Sequence, residues 1–220
     1  MKKVLILVEG QTEETFVRDV LNAHLHAHGK TLVPTLVVTK RVKDGPNFKG
    51  GITSFARVRG DLQRLFRDTS AAAITTMIDY YGLPSDFPGL GTRPPMGSPE
   101  ERAAHVEQEL LRVVNEPRFI PYLSLHEFEA LVFASLDHAG WVFDDNTSVL
   151  RKLRGYLASA GSAERINEDP VTAPSRRIAG VYPRYQKVLQ GPMAVEASGL
   201  ATLRAACPHF GDWLARLERL

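Results

Sequence analysis

A single cysteine, Cys207, stands in the 220 residues, so no internal disulfide framework is available and the chain suits a reducing compartment. The longest apolar run, Val4 to Val8, falls far short of the ~20 residues that cross a bilayer. It breaks at Glu9-Gly10 and charges follow at once, which excludes a secretory signal as well. These absences make the cytoplasm the expected location. Several site signatures are also missing: there is no Gly-x-x-x-x-Gly-Lys-Ser/Thr phosphate loop, no Gly-x-Ser-x-Gly elbow and no Gly-x-Gly-x-x-Gly fingerprint. Any ATPase function must therefore belong to a partner. Zinc is not indicated, because Cys207 and His209 have no second Cys/His pair. His24, His26 and His28 precede Gly29 at an expected helix end, where cationic side chains are favoured without any metal. A net charge of +2 says little by itself, so the distribution of charge has to identify partners.

What the chain does have is alternation. Val4–Val8 is apolar and β-branched, the pattern of a strand buried on both faces of a parallel sheet. Glu13 to His28 has helical spacing (Phe16, Val17, Val20, Leu21, Leu25) and stops at Gly29. Thr31–Thr39 is the next expected strand, Lys40–Gly51 a basic loop, Thr53–Arg67 a helix, and Ala71–Ile78 a strand ending on Asp79. Strand–helix alternation of this kind points to a parallel α/β core with right-handed crossovers. Gly82–Pro99 carries four glycines and five prolines without periodicity, which suggests a lid or a disordered loop. Helix Glu100–Asn115, strand Phe119–Leu125 and helix His126–Leu136 follow, and short helices fill the rest, ending in the amphipathic pair Leu200–Cys207 and Phe210–Leu220. At this length, the expected organisation is an α/β core over 1–136 with a mainly helical region, 137–220, packed on it.

Glu9 and Asp79 each directly follow a buried strand. In an open parallel sheet the carboxyl ends of adjacent strands form the crevice where ligands bind, and carboxylates brought together there are costly unless a cation joins them. Gly10 allows a sharp turn and close ligand approach. Thr12 can cap the helix that follows, and Glu13 and Glu14 suit the positive end of its dipole.

The stretch Val8-Glu9-Gly10-Gln11-Thr12-Glu13, with a later apolar strand ending in Asp79, resembles the Toprim arrangement of topoisomerases, bacterial primases, small ribonucleases and nucleases of the overcoming-lysogenisation-defect type. Four further stretches narrow the likeness: Gly50-Gly51-Ile52, Thr75 to Pro84, Leu125-His126-Glu127-Phe128-Glu129-Ala130-Leu131, and Cys207-Pro208-His209-Phe210. Together they are similar to a family of stand-alone Toprim-like domains of unknown function, encoded beside ATPases in bacterial defence gene clusters. The resemblance implies a Toprim-like (Rossmann-like) parallel sheet flanked by helices, with a mainly helical C-terminal part. It gives Glu9 the role of general acid/base or metal ligand, and Asp79 that of metal ligand, for Mg²⁺ or Mn²⁺. The strand normally ends Asp-x-Asp, but here it reads Asp79-Tyr80-Tyr81. Two acids hold a hard cation poorly, so Glu127 and Glu129 are the candidates for a further carboxylate, with helix capping as the plain alternative.

Charge is segregated. Lys40–Arg67 has eight basic residues against two acidic, Arg151–Lys187 eight against three, and Pro99–Asp145 three against ten. The basic segments can track a phosphate backbone, with Phe48, Tyr182 and Tyr185 among them for stacking, or simply be solvated faces. Gly10, Thr12, Lys49, Ser175, Arg176 and Arg177 are the phosphate-binding candidates, and Lys187 joins Glu9 and Asp79 as a catalytic candidate that neutralises charge on a transferring phosphate. Three readings remain open. The first is a metal-dependent nuclease on DNA or RNA, an anti-phage effector beside a partner ATPase, with assembly state (a homodimer included) undetermined. The second is a Toprim-derived binding or regulatory subunit without catalysis, and the third a hydrolase or transferase acting on a nucleotide.

Overall fold

The computed structural model describes residues 1–37, 52–166 and 172–220. The chain forms two compact units, Met1–Leu123 with Leu220, and Ser124–Arg219; the sequence reading draws its boundary later, after Leu136. The basic loop with Phe48 and Lys49 lies outside the described residues, as do the last two positions of the expected Thr31–Thr39 strand.

The first unit is the α/β part. Strand β1 (Lys2–Val8) lies between β2 (Lys30–Leu36) and β3 (Ala71–Asp79), parallel to both. β4 (Phe119–Ile120) adds to β3, again parallel, so the strand order is β2-β1-β3-β4. With neighbours on both sides and helices over both faces, Val4 to Val8 are 0–5% exposed. Each such side chain gains about 1.5–3 kcal/mol by leaving water, which favours the β-branched run at the centre of the sheet. Pro34 is tolerated because β2 closes the described sheet on that side, where a missing N–H costs no ladder bond.

Between β1 and β2 the chain is helical through α1 (Gln11–Phe16), a π turn at Val17–Leu21 and α2 (Asn22–Ala27). Phe16, Val17, Leu21 and Leu25 are fully buried, as their spacing requires, and Gly29 ends the run at φ +74°, a conformation that only glycine adopts cheaply. The helix begins at Gln11, before the expected Glu13, and its cap position is Gly10. Thr12 therefore sits inside the first turn and does not cap it.

Helices α3 (Phe55–Phe66) and α4 (Pro99–Val114) bury Val58, Leu62, Val106 and Leu110 against Leu5, Leu7, Ile74 and Ile78 of the sheet. The Gly/Pro-rich stretch before α4 forms a strap whose first part packs on the core. Leu83 and Phe87 enter the same core, and the Phe87 ring meets Phe55 edge-on at 5.3 Å. Between them, the Asp86 carboxylate accepts the Phe55 amide at 3.0 and 3.1 Å, capping α3 from a remote loop. Ser98 and Glu101 form a reciprocal capping box on α4.

The expected strand Phe119–Leu125 is interrupted. Pro121 has no N–H to donate, so β4 stops at Ile120 and β5 (Leu123–Ser124) resumes pairing with β3. Two fully buried threonines of β3 span the gap. Thr76 Oγ1 donates to the Tyr122 carbonyl at 2.8 Å and accepts the Tyr122 amide at 2.9 Å, while Thr75 Oγ1 donates to the Ile120 carbonyl at 2.5 Å.

The second unit is helical: α5 (Glu129–Ala134), α6 (Thr147–Ala160), α7 (Pro174–Val181), α8 (Lys187–Ala206) and α9 (Pro208–Glu218) among the described residues. The expected helix His126–Leu136 contracts to α5, so His126 and Glu127 precede it and do not share a helix face with Glu129. Gly199, at φ +73°, breaks α8 just before the expected Leu200–Cys207 helix. Buried Cys207 joins α8 to α9, and the Glu164 carboxylate accepts the His209 and Phe210 amides, each at 3.1 Å. No helix among the described residues is long and apolar enough to cross a membrane.

Thr76→Val keeps the side-chain shape but strands the Tyr122 amide and carbonyl. It should lower unfolding free energy by about 1–3 kcal/mol, measured by urea denaturation, whereas Val at an exposed strand position should not.

Candidate functional site

The strand order reverses direction between β1 and β3: the connection from β1 leads to one neighbour, β2, and the next crosses back to β3. At such a switch point the two following segments part, opening a crevice at the carboxyl ends of the strands. Glu9 and Asp79 occupy those ends. The Glu9 amide continues the ladder by donating to the Met77 carbonyl at 3.2 Å. The Asp79 amide then donates to Glu9 Oε2 at 3.0 Å. One carboxylate is thereby aimed at the backbone that carries the other, and both residues are half-buried. The pair expected from sequence is brought together.

Gly10 separates β1 from α1 in an extended conformation. A Cβ at this position would stand 3.0 Å from Glu13 Oε2. The Glu13 carboxylate thus folds back over the glycine, and the residue is only 4% exposed. Sequence reasoning gave Glu13 to the helix dipole alone and missed this position. The available signal was its spacing: Glu13 lies four residues after Glu9, across the glycine and one helical turn. Thr12 is 2% exposed. Tyr81, standing where the resemblance expects an aspartate, is half-buried. The carboxylates of Glu9 and Asp79 are hard oxygen donors of the kind that suit Mg²⁺ or Mn²⁺, and the Glu13 carboxylate occupies the space over Gly10.

Lys49 lies outside the described residues; the remaining site candidates lie in the second unit, where Glu127, Glu129, Ser175 and Lys187 form a cluster of their own. Glu129 is fully buried, with Lys187 Nζ 3.0 Å from its Oε2; the Lys187 side chain keeps 40% of its exposure. Burial pushes the Glu129 carboxyl above its ordinary range, and the Lys187 ammonium opposes that shift. The Tyr185 hydroxyl is also pushed up, first by burial and then by Glu129 and Glu127. Glu127 Oε2 accepts the Ser175 amide at 2.9 Å in the first turn of α7, so Ser175 enters this cluster through its backbone. Arg176 points to solvent. Arg177 donates to the Thr172 carbonyl at 2.7 Å and lies 4.8 Å over the Tyr156 ring. Tyr182 and Tyr185 pack on Phe143, at 5.6 and 6.2 Å between ring centroids. The Phe143–Tyr182 contact is edge-on and the Phe143–Tyr185 contact stacked.

Glu127→Ala removes the acceptor at the α7 N-terminus and should cost about 1 kcal/mol, seen as a lower urea midpoint, with Glu127→Gln recovering part of it.

The profile of the domain of unknown function DUF4276 matches residues 8–218. No curated protein matches the chain. Among solved structures, it is similar to the C-terminal region of the Burkholderia pseudomallei OLD protein, with 16% identity, 99% of each chain covered and a TM-score of 0.45. It is also similar to the C-terminal region of the Xanthomonas campestris pv. campestris OLD protein, with 15% identity, coverage of 100% of this chain and 99% of that one, and a TM-score of 0.42.

Proposed function

We propose that this chain, which belongs to the family of the domain of unknown function DUF4276, is a divalent-metal-dependent nuclease that hydrolyses phosphodiester bonds of DNA or RNA. The observation that carries the reading is the 3.0 Å bond from the Asp79 amide to the Glu9 carboxylate at the switch point of the sheet. It sets two acids side by side where open α/β sheets bind ligands. Glu13, whose carboxylate folds back over Gly10, is assigned here as a further carboxylate.

Glu9, Asp79 and Glu13 would hold Mg²⁺ or Mn²⁺. When bound, such an ion polarises a phosphoryl oxygen and lowers the pKa of a water. Glu9, at the strand end, moves the proton of the attacking water. Asp79 supplies fixed negative charge from the neighbouring strand, and Glu13 does so from the first turn of α1. Gly10 lets the phosphate approach the backbone, beside Thr12. Lys49, Ser175, Arg176 and Arg177 are assigned to the phosphate backbone, and Lys187 to neutralising charge on it.

The role as an anti-phage effector beside a partner ATPase rests on the family resemblance and on the lack of a phosphate loop in this chain. A second reading has one observation in its favour: Tyr81 replaces the second aspartate of the Asp-x-Asp strand end. It makes the chain a binding or regulatory subunit, whose association with the ATPase would survive Asp79→Asn.

Purified protein with Mn²⁺ should nick supercoiled plasmid or cleave RNA, and chelation should stop it. Glu9→Gln should reduce the rate by at least about a hundredfold at unchanged thermal stability, and Glu13→Gln should weaken Mn²⁺ binding. Equal cleavage by Glu9→Gln would overturn the assignment.

A further inference from the structure

The family resemblance makes Glu129 a metal carboxylate, but its surroundings suit a different task. The side chain is fully buried and already faces the ammonium of Lys187 at 3.0 Å. Oε2 has that ammonium beside it, while Oε1 is buried with no hydrogen-bond partner among the described residues. A divalent ion on the same oxygens would place its charge beside that ammonium, a like-charge contact in a dry setting.

Lys187 has the complementary problem. It is the first residue of α8, whose first helical segment runs up to the break at Gly199, and the positive end of a helix dipole repels a cation. Glu129 offsets that repulsion. The Lys187 side chain as a whole keeps 40% of its exposure, so the residue is tethered at Glu129 while part of it faces solvent. A surface lysine ordinarily loses rotamer entropy when it meets a ligand, and a tethered one has lost it beforehand. The tether itself is stiff. A Cβ at Gly191 would lie 3.1 Å from both the Phe128 ring and the Tyr185 hydroxyl, so α8 is pressed against the residue that precedes Glu129.

We propose that Glu129 is the positioning residue of Lys187, holding the ammonium as a preset cation for a backbone phosphate of a nucleic acid, and that it takes no part in metal binding. This rests on the reading of the chain as a protein that engages nucleic acid.

The test is metal-free binding of short single-stranded DNA and RNA by fluorescence anisotropy over a range of KCl, alongside Mn²⁺ binding by calorimetry. Lys187→Met should weaken oligonucleotide binding by about tenfold and reduce the slope of log K against log salt by roughly one. Glu129→Gln should weaken binding several-fold, Glu129→Asp should restore most of it, and the double variant Glu129→Gln/Lys187→Met should be no weaker than Lys187→Met alone. Mn²⁺ affinity should be equal in all of them. A Glu129→Gln variant with reduced Mn²⁺ affinity and unchanged oligonucleotide binding would make Glu129 a metal ligand and overturn the proposal. Additive losses in the double variant would overturn it too. If Glu129→Gln fails to fold, Lys187→Arg and Lys187→Met decide: retained affinity with arginine and loss with methionine support the preset cation, and no change in either refutes it. Absence of oligonucleotide binding by the natural sequence defeats both this proposal and the nucleic-acid reading. Binding that follows the expected pattern without any cleavage defeats only the catalytic reading.

Discussion

The hydrogen-bond ladder between β1 and β3 is the constraint on which the site depends. It runs through the buried strands, continues as the Glu9 amide bonds the Met77 carbonyl, and ends where the Asp79 amide meets the Glu9 carboxylate. Up to the last step it is ordinary parallel-sheet bonding, held in register by apolar burial on both faces. The final bond exchanges a backbone acceptor for a side chain. The same register that buries Val8 and Met77 therefore sets the spacing of two acids. Slipping it by one residue would move alternate side chains to opposite faces, so the core and the crevice cannot be varied independently.

Acidic residues do a second kind of work in this chain. Asp86 accepts the first amide of α3, Glu127 an amide of α7, and Glu164 two amides of α9. Glu107 accepts the Leu123 amide at 2.7 Å, where the sheet resumes after Pro121. In each case a carboxylate satisfies amides with no partner in their own element, and the donor and acceptor are far apart in sequence. Such bonds fasten loops as well as helices: Asp86 holds the Gly/Pro-rich strap while it caps α3. They also change how Glu127 is interpreted, since an acid beside an expected strand end turns out to serve a helix.

The parts of the fold that were legible in the sequence are those governed by local periodicity. Val4–Val8, the helical spacing from Phe16 to Leu25, Gly29 as a stop and the apolar run into Asp79 all carry their structural meaning within a short window. Pro121 was visible yet its effect was not drawn, because whether a missing amide breaks a strand depends on which neighbour needs it. Thr75 and Thr76 read as strand residues; that their hydroxyls would replace ladder bonds lost at Pro121 required the partner strand. The short α5 was obscured for a similar reason, since packing overrides the propensity of a helix this short.

For the site, the sequence determined that Glu9 and Asp79 end buried strands, because the composition of the two runs admits little else. It also determined that Gly10 follows Glu9, where the chain must turn from strand to helix. Tertiary structure alone decided the rest. It made β1 and β3 neighbours and so joined the two acids, it turned Glu13 back over Gly10 instead of leaving it to the helix dipole, and it gave Glu129 to Lys187. The physical reason is common to all three. A carboxylate's role depends on what lies within about 3 Å of its oxygens, and at that range the nearest group often comes from another element of the chain.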